Sequence, residues 1–432
     1  MKKKLLSKAL LLVPALLLSA CNFKYVYNIE GLVIDGMDFD DGDDIDDEGE
    51  YDIKIWVDDK IVDLTKSQIG QFTSASNGKY RINATIEPVS EDKAAASMLQ
   101  DVQDGADIFC FAQDQLSRLK MAGALAKLSS TYVANLEKEM GEGAINAAKV
   151  GDDVYAFPIT SDNGYFLYYD KSYVSDEQAQ NMTTLLAACK AAGRTLNFEA
   201  RSNGFYAASY FMAKGLDCYS SWTMDAKGKF ISYDDNYNSA AGLVAAKGLK
   251  ELDDKTLVAT NSQASKLGSS SCAVVSGIWE YEVAVKNIGE DRLGCAPLPS
   301  FTVDGTSYHL SSFDGYKLLG VKPQVSARKA SVCRKIARFL TGEDCELQRF
   351  ENASWGPTNI NASQNEAVLA HKGLAALTAQ HEFAKPQGQC PGNWFTALAT
   401  TAKAITASAT DDQLRLILKN YEAGLAELID SD

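Results

Sequence analysis

The hydrophobic pattern from Tyr51 to Ala112 alternates between the two-residue period of strands and the three-to-four-residue period of helices. In chain order the segments are strand YDIKIWV, helix VDLTKSQIGQFTSA, strand YRINATIEPV, helix DKAAASMLQDVQDG and strand ADIFCFA. Strands that alternate with helices pair in parallel, and strands covered on both faces are apolar throughout. The pattern therefore predicts an α/β unit built on a parallel sheet.

A second α/β unit begins near Ser161. The pattern predicts strands in VYAFPIT, YFLYYDKS, RTLNFEA, SCAVVSGIW, RLGCAPLPSF and YKLLGVKP, and a hairpin in WTMDAKGKFISY closed by Lys227-Gly228. It predicts helices in LLAACKAAG, NGFYAASYFMAKG, AAGLVAAKGLKEL, ARKASVCRKIARFLT, AVLAHKGLAALTAQ, GNWFTALATTAKAITA and DQLRLILKNYEAGLAELI. At 432 residues the chain is long for one domain, and two lobes of ordinary size are expected.

The first 20 residues differ from the rest of the chain. Lysines precede a leucine-rich run of about a dozen residues, which is the layout of a secretory signal and is shorter than the roughly 20 residues that cross a bilayer. The run ends in Leu18-Ser19-Ala20-Cys21, which resembles the lipobox of bacterial lipoproteins. That resemblance implies a signal peptide at 1–20, acylation of Cys21 with palmitate-like chains, and anchoring at the extracellular face of the bacterial cell membrane. The alternative is a secretory peptide cleaved elsewhere, with a chance cysteine.

An acidic segment follows the cysteine. The formal net charge is -15, and the stretch from Asp35 to Glu50 contains acidic residues and no basic ones. Like charges with few large apolar residues repel and stay extended, so we predict a lipidated tether at 21–50. The acids do not follow the spacing of a calcium-binding EF-hand loop, so we predict no metal site. An acidic chain also argues against nucleic acid as a partner.

Eight further cysteines lie mostly in apolar contexts, and no CxxC motif is present. They are Cys110, Cys189, Cys218, Cys272, Cys295, Cys333, Cys345 and Cys390. Secretion permits disulfides, but pairing cannot be deduced from spacing. Buried free thiols are therefore the expected state.

Six segments in order resemble the extracellular solute-binding proteins of ABC importers, in particular the maltodextrin-binding group. They are IKIWVDD, DGADIFCFAQDQLSRLKMAGALAKL, VYAFPIT with YFLYYDKSYV, CAVVSGIWE, GCAPLPSF and GNWFTALATTAKAI. The resemblance spans roughly Asp52 to Ile429. It implies a two-lobed, periplasmic-binding-protein-like α/β fold that closes on its ligand like a Venus flytrap. Lobe one would comprise 51–160 and 315–352, and lobe two 161–314 and 353–432.

The resemblance also implies a sugar-binding cleft between the lobes. Aromatic rings cover the faces of a sugar, and carboxylates with a lysine bind its hydroxyls. Carried over to this chain, the ligand-binding residues are Asp59, Lys60, Asp114, Asp162, Phe205 or Tyr206, Trp279, Trp355 and Trp394. The aspartates follow strand ends, where open α/β sheets bind ligands. The alternatives are core packing for the aromatics, hinge packing for Trp355 and helix capping for the aspartates.

The expected function is that of a monomeric receptor without a cofactor. It would deliver a malto- or other oligosaccharide to membrane permease subunits powered by a cytoplasmic ATPase. Gln115 stands where the maltodextrin pattern has an arginine after Asp114, so the resemblance does not identify the sugar. Alternatives are a peptide or polyamine ligand, or a tethered glycosidase with paired carboxylates. Against catalysis, the chain lacks GxSxG, HExxH and P-loop motifs, and its three histidines are scattered.

Overall fold

A computed structural model of the chain describes residues 46–225 and 227–431. The predicted signal peptide, Cys21 and the tether up to residue 45 lie outside the described residues. Among the helices of the described part, none combines the length and the apolar character that a membrane crossing requires.

The strands form two five-stranded sheets and several two-stranded pairs. Within the described residues the strands are β1 (Gly49–Val57), β2 (Tyr80–Pro88), β3 (Ile108–Ala112), β4 (Lys149–Val150), β5 (Asp153–Val154), β6 (Ala156–Thr160), β7 (Phe166–Asp170), β8 (Thr195–Asn197), β9 (Ser220–Met224), β10 (Phe230–Asp235), β11 (Val258–Ala259), β12 (Ser271–Ser276), β13 (Leu293–Ala296), β14 (Ser300–Val303), β15 (Thr306–His309), β16 (Phe313–Asp314), β17 (Lys317–Val321) and β18 (Lys385–Pro386).

Helices cover both large sheets. In the same described part of the chain the α-helices are α1 (Val62–Ala75), α2 (Glu91–Gln100), α3 (Leu116–Met121), α4 (Ser130–Glu139), α5 (Glu142–Ala147), α6 (Met182–Ala191), α7 (Gly204–Phe211), α8 (Ala240–Leu249), α9 (Tyr281–Ile288), α10 (Ala327–Leu340), α11 (Glu343–Ala353), α12 (Ile360–Ser363), α13 (Glu366–Ala370), α14 (Lys372–Gln380), α15 (Trp394–Ala404) and α16 (Asp411–Ser431).

The first sheet has the strand order β2-β1-β3-β17-β6 and defines lobe one. β1 pairs in parallel with β2 and β3, as the alternating pattern predicts. β17 is antiparallel to both β3 and β6. Lys317 at the start of β17 is paired with Thr160 at the end of β6, so the chain leaves and re-enters this sheet at the same end of its strands. Because β17 begins where β3 and β6 end, it must run in the direction opposite to theirs.

The second sheet has the order β11-β8-β12-β7-β13 and defines lobe two. β8 is parallel to β11 and β12, whereas β7 is antiparallel to β12 and β13. β7 and β12 are buried along their whole length. Alternate residues of β7 point to opposite faces, so Leu167 and Tyr169 enter one hydrophobic cluster and Phe166 and Tyr168 another.

Three segments run side by side where the chain passes between the two sheets. Ser161 N donates to the carbonyl of Gly356 at 3.0 Å, and Asn163 N donates to the carbonyl of Gly315 at 3.1 Å. The predicted crossings near residues 160 and 315 fall between β6 and β7 and between β16 and β17. These segments form the hinge region, by which we mean residues 160–164, 314–317 and 354–357.

The tether was predicted to extend to residue 50, but the folded part of the chain begins before that residue. Asp47 is fully buried, and its carboxylate accepts hydrogen bonds from Tyr80 Oη at 2.8 Å, Ser331 Oγ at 2.7 Å and Lys335 Nζ at 2.8 Å. A buried carboxylate is stable when a cation and hydroxyls compensate its charge. The folded body therefore includes Asp47, and β1 begins at Gly49.

The single helix predicted in AVLAHKGLAALTAQ is wrong. His371 has an extended backbone with φ -71° and ψ 117°, and it separates α13 from α14. Its Nδ1 accepts a hydrogen bond from the backbone N of Leu374 at 3.2 Å, which caps α14.

The predicted hairpin is confirmed, because β9 and β10 pair antiparallel and Gly228 adopts a positive φ of 92° in the turn.

Candidate functional site

A cleft of about 490 Å³ lies between the two lobes. Lobe one contributes polar side chains from the segments after β1 and β3 and from the start of α2 and β17. Lobe two contributes aromatic and amide side chains from the segments around α7, β12 and α15. The main lining residues are Asp58, Lys60, Glu91, Asp92, Asp114, Gln115 and Lys317 from lobe one, Glu199, Asn203, Phe205, Tyr206, Trp279 and Phe395 from lobe two, and Asn163, Trp355 and Gln387.

The segment after β1 forms one rim of the cleft. Asp58 Oδ1 accepts from the backbone N of Lys60 at 2.9 Å and caps a short helical turn. This turn directs Lys60 across the cleft, where its Nζ donates a hydrogen bond to the backbone carbonyl of Trp279. Asp59, a predicted ligand-binding residue, is exposed outside the cleft, whereas its neighbour Asp58 lines the cleft.

Asp114 lies at the end of β3, in a buried position facing the cleft. Its two carboxylate oxygens accept from Gln115 Nε2 at 2.6 Å and from Gln387 Nε2 at 2.9 Å. It does not cap the helix that follows, because the cap position of α3 is Gln115, whose side chain makes no capping hydrogen bond. Burial raises the pKa of Asp114, and the hydrogen bond from Gln115 opposes that rise. The two glutamines thus hold an oriented acceptor in the cleft.

A buried lysine and a partly buried glutamate, neither of them predicted from the sequence, form the floor of the cleft. Lys317 Nζ lies 3.4 Å from Glu91 Oε1 and 3.8 Å from Asp162 Oδ1. The same Nζ lies 4.0 Å from the centroid of the Trp355 ring and 5.8 Å from that of Trp279. A cation over an aromatic face is attracted by the ring quadrupole. The signal available in the sequence was a lysine at the start of the otherwise apolar strand YKLLGV.

The charges of this floor depend on one another. Burial acts to lower the pKa of Lys317, but the carboxylates of Glu91 and Asp162 outweigh it and raise the pKa. Burial raises the pKa of Glu91, and the Lys317 ammonium opposes that rise. Lys317 is therefore protonated at neutral pH and supplies the positive charge of the floor.

Asp162 does not line the cleft, contrary to the prediction. Its Oδ1 accepts from Thr160 Oγ1 at 2.7 Å, and its Oδ2 accepts from the backbone N of Gly356 at 2.5 Å. It is almost completely buried and ties two segments of the hinge region together. Its carboxylate is occupied by these bonds, so it acts on the cleft only through Lys317.

The aromatic wall of the cleft comes from lobe two. Trp279 follows β12 and is partly exposed, and Phe205 and Tyr206 lie at the start of α7. The Phe205 ring stacks on Phe313 at 5.2 Å between centroids. A Cβ on Gly204 would lie 2.0 Å from the carbonyl oxygen of Phe395, so glycine permits α7 and α15 to approach this closely. The approach places Phe205 and Phe395 on the same wall.

Trp394 does not line the cleft, and Phe395 takes the predicted place. Trp394 is 3% exposed, and its Nε1 donates to Tyr421 Oη of α16 at 2.9 Å. It borders a separate cavity of about 280 Å³ that Trp222 and Cys218 also line. Successive helical residues point about 100° apart, so the residue after Trp394 faces the cleft. Trp355 lies at the cleft floor and also in the hinge region.

Three solved structures illustrate the similarity of the fold. A chain solved with acarbose is 24% identical with a TM-score of 0.75, over 88% of this chain and 99% of that chain. Maltodextrin binding protein MalE1 from L. casei BL23 is 20% identical with a TM-score of 0.69, over 86% and 99%. The GacH receptor of Streptomyces glaucescens is 15% identical with a TM-score of 0.70, over 89% and 99%. These likenesses confirm the two-lobed fold.

The curated proteins contain no match to this chain. The family model of bacterial extracellular solute-binding proteins matches residues 68–376, which is most of the chain and includes parts of both lobes. The protein therefore belongs to the family of bacterial extracellular solute-binding proteins.

Proposed function

We propose that the protein is the carbohydrate receptor of an ABC importer and binds a malto- or other oligosaccharide in the cleft. The observation that carries this proposal is the difference between the two walls. Lobe two presents the rings of Phe205, Tyr206, Trp279 and Phe395, and lobe one presents Asp58, Lys60 and Asp114. A sugar ring has weakly apolar faces and a rim of hydroxyls, so it can stack on one wall and hydrogen-bond to the other.

Binding on both walls would stabilise a closed arrangement of the lobes. A ligand shifts a conformational equilibrium only by its difference in affinity for the two states. An oligosaccharide that contacts Trp279 of lobe two and Asp114 of lobe one makes its full set of contacts only when the cleft is closed. Closure would present one recognisable surface to the permease subunits, which is how hinge motions signal ligand occupancy.

A cationic ligand such as a polyamine is the second candidate. Among the lining residues, the carboxylates Asp58, Glu91, Asp92, Asp114 and Glu199 outnumber the ammonium groups of Lys60 and Lys317. Such a balance favours a neutral or cationic ligand over an anionic one. The aromatic rings would serve a cation as well as a sugar, so the two candidates must be distinguished by experiment.

We propose a binding role and not a catalytic one. Asp114 is held by two glutamine amides, and Glu91 by Lys317.

We further propose that Cys21 carries the lipid anchor and that the receptor acts as a monomer at the extracellular face of the cell membrane. The lipobox-like sequence LSAC supports the anchor.

Thermal unfolding of the purified chain with a ligand panel tests the proposal. The panel contains malto-, xylo-, manno- and fructo-oligosaccharides, uronic acids, peptides and polyamines. A ligand that binds only the folded state adds about 2.7 kcal/mol of stability at a hundred times its dissociation constant. We expect a shift with one neutral glycan series and no turnover of that glycan. A shift with polyamines or peptides alone, or release of shorter glycans, would contradict the proposal.

A further inference from the structure

Two cysteines of lobe two lie in direct contact. Cys189 Sγ of α6 and Cys272 Sγ of β12 are 2.7 Å apart, although the residues are 83 positions apart in the chain. Both side chains are completely buried in the main hydrophobic cluster of lobe two. A disulfide has a sulfur–sulfur distance of about 2.05 Å, so the two atoms need to approach by only about 0.7 Å to bond.

We propose that Cys189 and Cys272 form a disulfide in the exported protein. A thiol is a weak hydrogen-bond donor and a weak acceptor, so a reduced pair gains little from so close a contact. The covalent bond would join the helix to the strand that leads, through Gly277, to Trp279 in the cleft wall. Disulfides persist in extracellular proteins, and the family to which this chain belongs is extracellular.

The two thiols influence each other's ionisation in the folded chain. The contact between the two sulfur atoms raises the pKa of Cys189 and lowers the pKa of Cys272. The thiolate is the nucleophile in thiol–disulfide exchange. Before the core closes, either cysteine can supply that thiolate.

The proposed reaction uses a disulfide of another molecule as the oxidant, either a small-molecule disulfide or an extracellular thiol–disulfide oxidoreductase. One of the two cysteines, as its thiolate, attacks one sulfur of that disulfide, forms a mixed disulfide and expels the other sulfur as a thiolate. The second cysteine then loses its proton and attacks the sulfur of the first, which releases the remaining oxidant sulfur as a thiolate. Two protein thiols are oxidised and one external disulfide is reduced to two thiols. Because both cysteines are buried, the exchange takes place before the core of lobe two has closed.

Trypsin places the two cysteines in separate peptides, Ser172–Lys190 and Leu267–Lys286, each with one cysteine. The reduced full chain is unfolded, refolded with or without oxidised glutathione, alkylated and mapped by mass spectrometry. We expect a cross-linked pair of these two peptides that dithiothreitol separates. We also expect oxidised refolding to raise the unfolding midpoint by at least about 5 °C.

The variants C189A and C272A should lose that rise in the unfolding midpoint. The matched control C333A, which removes a completely buried thiol on α10, should retain it. Full alkylation of both peptides after refolding with oxidised glutathione would overturn the proposal. So would a cross-link of either peptide to another cysteine. Peptide mapping of the unmutated chain decides the question even if a variant fails to fold.

Discussion

Lys60 and Trp279 connect the two lobes across the cleft, because the Lys60 ammonium donates a hydrogen bond to the Trp279 backbone carbonyl. Lys60 follows the first strand of lobe one, and Trp279 follows a central strand of lobe two. A hydroxylated ligand between the lobes would replace this bond with its own. The same two groups would then bind sugar oxygens.

Removal of the Lys60 ammonium should weaken ligand binding. A partly solvated, charge-assisted hydrogen bond contributes about 1 kcal/mol, so K60A should reduce affinity about fivefold. Lys66 offers a matched control, because it is exposed on α1 and pairs with Asp63 of the same helix. Calorimetric titration with the ligand that the panel identifies provides the affinities. Equal affinities for K60A and K66A would exclude a binding role for Lys60.

Trp279 and Trp394 should respond differently to truncation. W279A removes a partly exposed ring from the cleft wall, so affinity should fall more than tenfold, which is about 1.4 kcal/mol, with little loss of stability. W394A removes a buried ring and its bond to Tyr421, so stability should fall by about 3–5 kcal/mol. Chemical denaturation and titration of both variants test this. The role of Trp279 is structural if W279A loses stability and keeps its affinity.

Asp114 should contribute an acceptor that an amide cannot replace. In D114N one of the two glutamine amides would face another amide donor, and the ligand would lose a charged acceptor. We expect at least a tenfold loss of affinity, about 1.4 kcal/mol. D59N is the control, since Asp59 is exposed outside the cleft. Unchanged affinity in D114N would remove this carboxylate from the site.

His371 should make stability depend on pH. Burial lowers its pKa to about 4, and its Nδ1 must stay unprotonated to accept from Leu374 N. A histidine whose folded pKa lies below the unfolded value of about 6.5 contributes stability above pH 6.5 and loses it as the pH falls to 4. The loss is at most about 3 kcal/mol.

The variant H371N isolates this contribution, because asparagine can cap α14 without titrating in this range. Denaturant unfolding between pH 4 and 7 should show the wild-type stability falling relative to H371N as the pH decreases. A constant difference between the two proteins over this range would show that His371 does not titrate with a lowered pKa.

Cys21 should hold the protein at the membrane. If it carries the lipid, C21S should leave the protein in the soluble extracellular fraction, and the wild type should partition into detergent. Cell fractionation with an antibody to the protein measures this. Retention of C21S at the membrane would contradict the lipobox interpretation.

The hydrophobic pattern predicts the elements whose apolar positions repeat regularly. The predicted helix VDLTKSQIGQFTSA coincides with α1, and the predicted strands of the first unit lie in β1, β2 and β3. The helices α4, α5, α9, α11 and α12 were not predicted, because α5, α9 and α12 are short and α4 and α11 are rich in polar residues. The break at His371 was missed because it depends on a side-chain cap that no period reveals.

The cleft-lining residues that the sequence indicated follow strand ends, and those that it did not indicate depend on the tertiary register of the strands. Lys60, Asp114 and Trp279 all come directly after strands, and all line the cleft. Lys317 and Glu91 meet only because a returning strand enters the sheet beside β3. Whether Trp394 or Phe395 faces the cleft depends on the rotation of α15 about its axis, which the sequence alone does not determine.

The most direct test of the account is a calorimetric titration of the wild type and W279A with maltotetraose and with a polyamine such as spermidine. We expect saturable one-to-one binding of a neutral oligosaccharide, from this series or another in the panel, weakened more than tenfold in W279A. Binding of spermidine or a peptide with no response to any oligosaccharide would contradict it, and so would sugar binding that W279A leaves unchanged.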